Sequence, residues 1–377
     1  MRIAVITFFQ SHDNYGQLLQ CYALQQVLRN LGHKPYLIRY GFHYEFFHWV
    51  KKKNLLTKSG RSETRHQLKL RIHPIKNARG RGFDEFRKKY LTKSIRCYNS
   101  LAELQRNPPK ARCYIAGSDQ VWAQLLSNDD NRAFFLDFGP KSVKRVSYAP
   151  SFAVKDYPDE LKGKLAEQLG RFDAISVRER SGVRICKDVG YEASLVLDPT
   201  LLIEAGHYRN LMIKPSISNY CFVYHVNVYS QEDLYWDKFY SYNENKNLKS
   251  VAVFANPASN VDMEFLQKAE YVYPTIGQWL GYISEAEYVL TSSFHGLVFS
   301  LLFHKPFVVC LRKESVFAGN DRITTMMELL GLSDRIMSEG SSAENLIQKP
   351  INWEHVDDVL REKNEESISY LMHSLCE

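Results

Sequence analysis

The chain has 377 residues, of which 45% are hydrophobic and 13% are aromatic, and its formal net charge at pH 7 is +7. This length is long for one hydrophobic core and predicts two globular domains. No apolar run approaches the roughly 18 residues that a membrane-spanning helix needs, so the sequence predicts no such helix.

The N-terminus and the cysteines indicate a reduced, cytoplasmic protein. The apolar start MRIAVITFF passes at once into SHDNYGQ, so its apolar core is too short for a signal peptide, and residues 2–8 are interpreted as a first buried strand. The seven cysteines are odd in number and form no CxxC pair, which favours reduced core thiols over a disulfide framework or a zinc site. We therefore expect no structural metal.

Basic charge is concentrated in one segment. Residues 51–96 hold sixteen Lys or Arg against three acidic residues, so the rest of the chain is net negative. The aromatic stretch FHYEFFHW comes just before it, at 42–49. Two interpretations are open: residues 42–96 contact an anionic membrane surface, or they form a solvated basic insertion. No recognisable nucleic-acid-binding motif accompanies the charge, so no nucleic-acid partner is expected.

The first half of the chain predicts a parallel sheet. A strand at 3–8, a helix that ends at Gly32 and a strand at 36–40 form a βαβ unit. Further strands lie in ARCYIAGSDQVW, VKRVSYAPSFA and FDAISVRERSG, and SLVLDPTLLI at 194–203 closes this half. Small or polar residues follow these strands, as expected where strand ends line a cleft.

A second α/β series follows the irregular stretch 204–219. Its predicted strands and one of its helices lie at 221–226, 248–256, 271–274 and 276–283. Two successive series predict an α/β protein with two lobes and a crevice between them. The predicted lobes are residues 1–205, with the basic insertion at about 42–96, and residues 206–377.

The stretch EYVLTSSFHGLVFSLLFHKPFVV, at 287–309, predicts a strand, a tight turn, a helix and a second strand that continues to residue 311. Ser292 or Ser293 is expected to cap the helix. His295 then lies in the first helical turn at the carboxyl end of a strand, where ligands bind in open α/β sheets and helical amides favour anions. Two interpretations are open: His295 bears chemistry, or it is an ordinary polar residue at a helix start.

Several common catalytic and nucleotide-binding motifs do not occur. The loop after the first strand lacks GxGxxG, and the chain has no GxxxxGK[ST], GxSxG or HExxH. Their absence argues against a nicotinamide-dependent enzyme, an NTPase and a serine hydrolase.

Seven segments, which follow one another in the family's order, resemble the polysaccharide pyruvyl transferase family. They span residues 14–335 and are NYGQLLQCYALQQVLRNLGH, AGSDQVW, SYAPSFA, ISVRERSG, LDPT, TSSFHGLVFSLLFHKPFVV and NDRITTMMELLGLSDR. The resemblance implies two Rossmann-like lobes facing a cleft, as in B-type glycosyltransferases. It also implies transfer of the enolpyruvyl unit of phosphoenolpyruvate (PEP) to two hydroxyls of a sugar, giving a pyruvate ketal and phosphate. Such chemistry needs no redox cofactor, and we expect no tightly bound cofactor.

The resemblance also implies a donor site in the C-terminal lobe. Among relatives an arginine, the histidine of the helix turn and a lysine beyond the next strand bind PEP, and the matching positions are Arg178, His295 and Lys313. Arg180 is the alternative arginine, and Ser293 belongs to the same turn as the histidine. Guanidinium and ammonium groups suit a ligand with a phosphate and a carboxylate. Because the methylene carbon of PEP must be protonated, His295 is also the candidate proton donor.

An acceptor site is expected in the first lobe, where a sugar would enter. Asp119 is the candidate base for the attacking hydroxyls, Trp122 is the candidate platform for a sugar face, and Asn14 and Gln120 are candidates for binding hydroxyls. For two of them a structural role is equally open, since an Asp caps helices and a Trp packs in cores. Asp198 precedes a proline and is expected to fix a turn.

Three functions remain open for the sequence. The first is a ketal-forming pyruvyl transferase of exopolysaccharide or capsule synthesis, acting on a saccharide or its lipid-linked form. In that case the basic segment would hold the enzyme at the inner face of the membrane. The second is a glycosyltransferase of the same architecture that uses a nucleotide sugar. The third is a non-catalytic carbohydrate-binding protein on the same fold.

Overall fold

The computed structural model describes residues 1–41, 81–123, 128–255, 264–312 and 319–376. The first lobe contains a five-stranded parallel sheet in the order β3-β2-β1-β4-β5, made of β1 (Arg2–Ile6), β2 (Lys34–Tyr40), β3 (Lys93–Tyr98), β4 (Cys113–Ala116) and β5 (Lys144–Ser147). A small parallel pair continues beyond β5, formed by β6 (Ser176–Val177) and β7 (Ser194–Leu195). The helices of this half are α1 (Tyr15–Asn30), α2 (Phe83–Tyr90), α3 (Leu101–Arg106), α4 (Asp159–Leu169) and α5 (Arg180–Asp188).

The second lobe repeats this arrangement. Its parallel sheet has the order β10-β9-β8-β11-β12, made of β8 (Tyr220–Val226), β9 (Lys249–Ala255), β10 (Glu270–Tyr271), β11 (Tyr288–Thr291) and β12 (Phe307–Val309). Its helices are α6 (Ala205–Arg209), α7 (Trp236–Asn245), α8 (Ile276–Glu285), α9 (Phe294–Leu302), α10 (Asp321–Leu329), α11 (Ala343–Gln348) and α12 (Trp353–Leu375). In both sheets the strand order reverses beside the first strand, and ligand crevices form at such switch points.

The predicted α/β fold with parallel sheets is confirmed, and several predicted strands are shorter than expected, among them β1, which ends at Ile6, and β12, which ends at Val309. In the stretch 194–203 only β7 is a strand, because Asp198 accepts a hydrogen bond from the amide of Thr200 and Pro199 opens a 3₁₀ turn there. In the stretch 271–274 the strand ends at Tyr271. Helix α8 begins as predicted, and Thr275 forms a capping box at its start.

The end of the predicted basic insertion belongs to the fold. Helix α2 and strand β3 occupy residues 83–98, and Phe83 and Phe86 are buried in the core. Arg87 is also buried, and its guanidinium is satisfied there by donating to the carbonyls of Phe9 and Ser11. The insertion therefore does not extend to residue 96. Residues 42–80, with the aromatic stretch, lie outside the described residues.

The two lobes contact each other directly. Tyr15 at the start of α1 donates to the carbonyl of Pro274 at 2.7 Å, and its ring stacks on Trp279 of α8 at 5.1 Å. At the other end of the chain, Tyr370 of α12 donates to the carbonyl of Ser147 in β5 at 3.0 Å. The last helix thus packs against the first sheet, and the division of the chain at residue 205 stays a prediction. Among the described residues, no helix combines the length and the apolar character that crossing a membrane requires.

Candidate functional site

The turn between β11 and α9 has the structure that the sequence predicts. Ser293 is the N-cap of α9, and its hydroxyl accepts from the amide of Gly296 at 3.4 Å. A side chain at Gly296 would lie 2.2 Å from Oγ1 of Thr291, so the close approach of strand and helix requires glycine there. His295 lies in the first turn of the helix, as predicted, where it is the second residue, and its side chain is buried.

His295 is held between the lobes by two groups of the first lobe. Its Nε2 lies 3.8 Å from Oδ1 of Asp198, an ion-pair distance that is too long for a hydrogen bond. Its ring lies against Gly16 of α1, where an added Cβ would be 2.0 Å from Nδ1. Nε2 is buried and has no hydrogen-bond partner among the described residues. The imidazole is therefore fixed in position with one nitrogen unsatisfied.

Asp198 is the hub of this interlobe site. Its Oδ2 accepts from Ser118 Oγ and from Arg178 Nη1, each at 2.8 Å. Its Oδ1 accepts from the amide and the hydroxyl of Thr200, at 3.0 and 2.7 Å. Burial alone would raise the pKa of Asp198, but His295, Arg178 and Thr200 outweigh it and hold that pKa well below its ordinary value. Asp198 fixes a turn, as predicted, and also carries a buried negative charge beside His295.

Arg178 links Asp198 to the loop after β4. Its side chain is fully buried, and its Nη2 lies 3.4 Å from Oδ1 of Asp119. Its guanidinium also lies 5.3 Å from the ring centre of Phe294, the residue before His295. Two carboxylates therefore offset the charge of Arg178, and the contact with Asp119 is the longer of the two.

Asp119 lies in a strained loop at the carboxyl end of β4. Its φ is 84°, which only a minority of residues other than glycine adopt. Its side chain accepts from the amide of Gln120 at 2.8 Å, and its carbonyl accepts from the amide of Ser151 at 2.9 Å. A turn follows it through residue 123, so it is not a helix cap within the described residues. Asp119 faces the site as a carboxylate that is bound to Arg178.

Glu179 is a buried carboxyl group that was not singled out from the sequence, although it lies within the ISVRERSG segment. It is fully buried, and its Oε1 accepts from the amide of Phe152 at 2.8 Å. Its Oε2 is buried without a hydrogen-bond partner in the described part of the chain. Burial raises the pKa of Glu179 even though Arg178 and Arg322 oppose the shift. The sequence offered one clue to Glu179, its position next to the predicted site residue Arg178.

Two further arginines of the second lobe border the site and were not assigned from the sequence. Arg322 of α10 is buried, donates from Nε to the carbonyl of Gly319 at 3.2 Å, and lies 5.7 Å from the ring centre of Phe294. Arg312 follows β12, and its Nε is buried without a partner among the described residues. Burial, together with the charges of Arg178 and Arg312, lowers the pKa of Arg322 to about 9. The sequence offered one clue to Arg322, its place in the NDRITT segment that resembles the family.

A sequence model that describes polysaccharide pyruvyl transferases matches residues 14–314, most of the chain. The chain belongs to the polysaccharide pyruvyl transferase family. The matched range includes His295, Arg178 and Asp198 and ends before Arg322. A search of curated proteins gave no match.

Solved structures that are similar to this family member share its fold at low sequence identity. The UDP-N-acetylglucosamine 2-epimerase from Rickettsia bellii is 8% identical, with 99% of this chain and 96% of that chain covered and a TM-score of 0.51. The UDP-GlcNAc 2-epimerase from Methanocaldococcus jannaschii, in complex with UDP-GlcNAc and UDP, is 11% identical, with 96% and 99% covered and a TM-score of 0.50. An α-glucosyltransferase in complex with UDP and DNA is 10% identical, with 98% and 95% covered and a TM-score of 0.48. At these identities the likeness to the two epimerases concerns the fold alone, two Rossmann-like lobes.

In this pyruvyl transferase family member, two residues expected to bind the acceptor have structural roles. Trp122 is fully buried, donates from Nε1 to the carbonyl of Phe134 at 3.0 Å, and stacks on Phe135 at 5.1 Å. Its ring has no free face for a sugar, so the expectation of a stacking platform is wrong and the core alternative holds. Asn14 is the N-cap of α1, where its Oδ1 accepts from the amide of Gln17 at 3.2 Å.

The other two residues that were predicted to bind the donor are Arg180 and Lys313. Arg180, the first residue of α5, forms an ion pair with Glu328 of α10, and more than half of its side chain is exposed. It bridges the lobes at the surface and is not brought beside Arg178. Lys313 lies outside the described residues. Within the described part of the chain, no group of three or more His, Cys, Asp or Glu side chains is placed to hold a metal ion.

Proposed function

We propose that this family member transfers the enolpyruvyl unit of PEP to two hydroxyls of a saccharide, with formation of a pyruvate ketal and release of phosphate. One observation carries the proposal: His295 of the second lobe meets Asp198 and Arg178 of the first lobe in a buried interlobe site. Such a site combines a proton donor with positive charge at the carboxyl ends of parallel strands, where ligands bind in this fold class.

The donor is proposed to bind between His295, Arg178 and Lys313, with Ser293 at the same helix turn. The Nη groups of Arg178 already bind Asp198 and Asp119, and we propose that the PEP carboxylate takes the place of one of these carboxylates. The pair with Asp119 is the candidate, because at 3.4 Å it is longer than the pair with Asp198 at 2.8 Å. Opening it would release the Asp119 carboxylate toward the acceptor.

The released Asp119 is the proposed general base, and protonated His295 is the proposed acid. His295 gives a proton to the methylene carbon of PEP while a sugar hydroxyl attacks the neighbouring carbon and loses its proton to Asp119. The bond between the attacked carbon and the phosphate oxygen then breaks, and phosphate departs. The second sugar hydroxyl forms a carbon–oxygen bond to the same carbon, and its proton passes to the departing phosphate. The carboxylate of Asp198 lies 3.8 Å from Nε2 of His295, on the other side of the lobe boundary.

The decisive experiment incubates the full chain with PEP and galactosyl or mannosyl acceptors, including lipid-linked forms. The expected result is release of inorganic phosphate together with a pyruvate-sized increase in acceptor mass. His295→Ala should abolish both, whereas His355→Ala, at an exposed position in α12, should retain them. A folded protein that gives no such product with any acceptor would overturn the proposal.

A nucleotide-sugar glycosyltransferase is the second candidate, since a structurally similar epimerase is a complex with UDP-GlcNAc and UDP. In this alternative the turn at His295 would bind a diphosphate. Thermal stabilisation by UDP but not by PEP would favour it. A non-catalytic carbohydrate-binding protein, the third candidate, predicts that His295→Ala leaves saccharide binding intact.

The saccharide is proposed to be lipid-linked, with the protein cytoplasmic and peripheral at the inner face of the membrane. The support is the sequence alone, the aromatic and basic residues of 42–80. Flotation with liposomes that contain anionic lipid should recover the full chain, and flotation with neutral liposomes should not. Equal recovery with both, or none with either, would contradict membrane contact.

A further inference from the structure

Three hydrogen-bond donors from both lobes surround one point beside Gly319. An added Cβ there would lie 2.8 Å from Gln120 Nε2, 3.0 Å from Arg312 Nη2 and 3.5 Å from Arg322 Nη2. Gln120 belongs to the first lobe and the two arginines to the second. The φ of Gly319 is +62°, a conformation that glycine adopts without strain, and any side chain there would clash with these donors. The three donors therefore lie close together between the lobes.

The two arginines bring positive charge, and the carboxylates that act on Arg322, those of Asp119 and Glu179, form no ion pair with it in the described structure. Neither Arg312 nor Arg322 forms an ion pair within the described ranges, and the only hydrogen bond from the Arg322 side chain there goes to the carbonyl of Gly319. Asn320 fixes Arg312 in place through its backbone, with Oδ1 accepting from its amide at 3.2 Å and Nδ2 donating to its carbonyl at 2.8 Å. Buried charge without a partner is costly, so this arrangement favours a bound anion.

The contrast with Arg178 separates two kinds of arginine in the site. Arg178 is bound by two carboxylates and can release one charge by opening a single pair. Arg312 and Arg322 together offer two guanidinium charges with no carboxylate to displace. A dianionic phosphate matches the latter pair, and a singly charged carboxylate matches Arg178. Both Arg178 and Arg322 lie near the ring of Phe294, at 5.3 and 5.7 Å from its centre, so the two places are next to the residue that precedes His295.

We propose that Arg312, Arg322 and Gln120 form the binding site for the phosphate group of the donor. This inference rests on the proposed function for the identity of the donor, and it moves Gln120 from the acceptor side to the donor side. Since Gln120 comes from the opposite lobe, the phosphate contacts both lobes. Phosphate that leaves the donor during the reaction stays in the same place, and inorganic phosphate is therefore a ligand in its own right.

Isothermal titration of the full chain with inorganic phosphate tests the site without any need for turnover. Arg322→Gln and Arg312→Gln should each weaken phosphate binding and PEP binding by about tenfold or more, because a charge-assisted contact is lost. Arg361→Gln, at an exposed position of α12 that pairs only with Asp358 in the described structure, should bind both ligands as the parent does. Gln120→Ala should weaken binding by a smaller factor.

The urea midpoint distinguishes a ligand site from a structural role. Removing a buried charge that lacks a partner should leave the midpoint of Arg322→Gln unchanged or raise it, while phosphate affinity falls. A lower midpoint with unchanged phosphate affinity would overturn the proposal, and so would a parent protein that binds no phosphate. If the parent binds UDP and not PEP, and Arg322→Gln loses UDP, the anion site stands while the proposed pyruvyl transfer fails.

Discussion

Gly16→Ala should displace His295 while leaving the backbone of α1 intact. Gly16 is the second residue of α1, and its backbone has no left-handed conformation that would exclude alanine. The added Cβ would lie 2.0 Å from Nδ1, 2.1 Å from Cγ and 2.6 Å from Cβ of His295. Real Cβ atoms do not approach other atoms so closely, so the imidazole must move by at least about 1 Å to reach an ordinary contact distance.

The stability and the function of this variant should change by different amounts. Alanine favours a helix over glycine by about 1 kcal/mol, whereas overpacking a core costs about 1–3 kcal/mol, so a net loss of roughly 0–2 kcal/mol is expected. A misplacement of about 1 Å in a catalytic group can lower the rate by roughly a hundredfold. Loss of function should therefore greatly exceed loss of stability.

Gly163→Ala is the matched control. Gly163 lies in α4, is exposed, and has nothing within 4 Å of an added Cβ. It should gain the helical preference of about 1 kcal/mol and leave PEP binding and phosphate release unchanged. Urea denaturation measures the stability of both variants, while calorimetry with PEP and a phosphate-release assay measure function. Parent-like PEP affinity and phosphate release in a folded Gly16→Ala protein would refute the contact between Gly16 and a functional His295.

Three further predictions concern buried ionisable groups. Asp198→Asn should destabilise the fold by about 3–5 kcal/mol at pH 7, because it breaks a buried ion pair. Since the pKa of Asp198 is lowered in the fold, the difference in urea midpoint between the parent and Asp198→Asn should be largest above pH 4 and should shrink as the pH falls further. A difference that stays constant with pH would contradict the negative charge assigned to Asp198. Glu179 has a raised pKa, so its stabilising contribution is present at low pH and lost as the pH rises. Glu179→Gln should thus gain stability relative to the parent between pH 4 and pH 8, and a relative loss would contradict its burial as an acid. Native protein should react with a thiol reagent first at exposed Cys376, while Cys113, whose pKa burial raises to about 12, should react only on unfolding; fast labelling of Cys113 would show that its strand is open.

Local pattern predicts the parts of the structure that depend on neighbouring residues. The capping of α9 by Ser293 and the place of His295 in its first turn follow from residues within one helical turn of each other. Strand β8 and helix α8 likewise begin within a residue of the predicted positions, because apolar periodicity marks them.

Contacts over long sequence separations could not be predicted in this way. Asp198 was expected to fix a turn, and it does, but its partners Ser118 and Arg178 are 80 and 20 residues away in sequence. Trp122 follows a cleft loop in sequence, yet its ring turns back into the core and binds the carbonyl of Phe134. Whether a side chain after a strand end points into the cleft or into the core depends on the packing of the whole lobe. This packing therefore decides whether the residue can bind a ligand.

Mass spectrometry of a saccharide acceptor, after incubation with the full chain and PEP, tests the proposed function most directly. The proposed chemistry predicts an acceptor that has gained one pyruvate as a ketal, has lost two free hydroxyls and appears with one equivalent of phosphate. It also predicts that His295→Ala gives neither product. An unmodified acceptor from a folded, PEP-binding protein, or a sugar added from a nucleotide sugar instead, would contradict it.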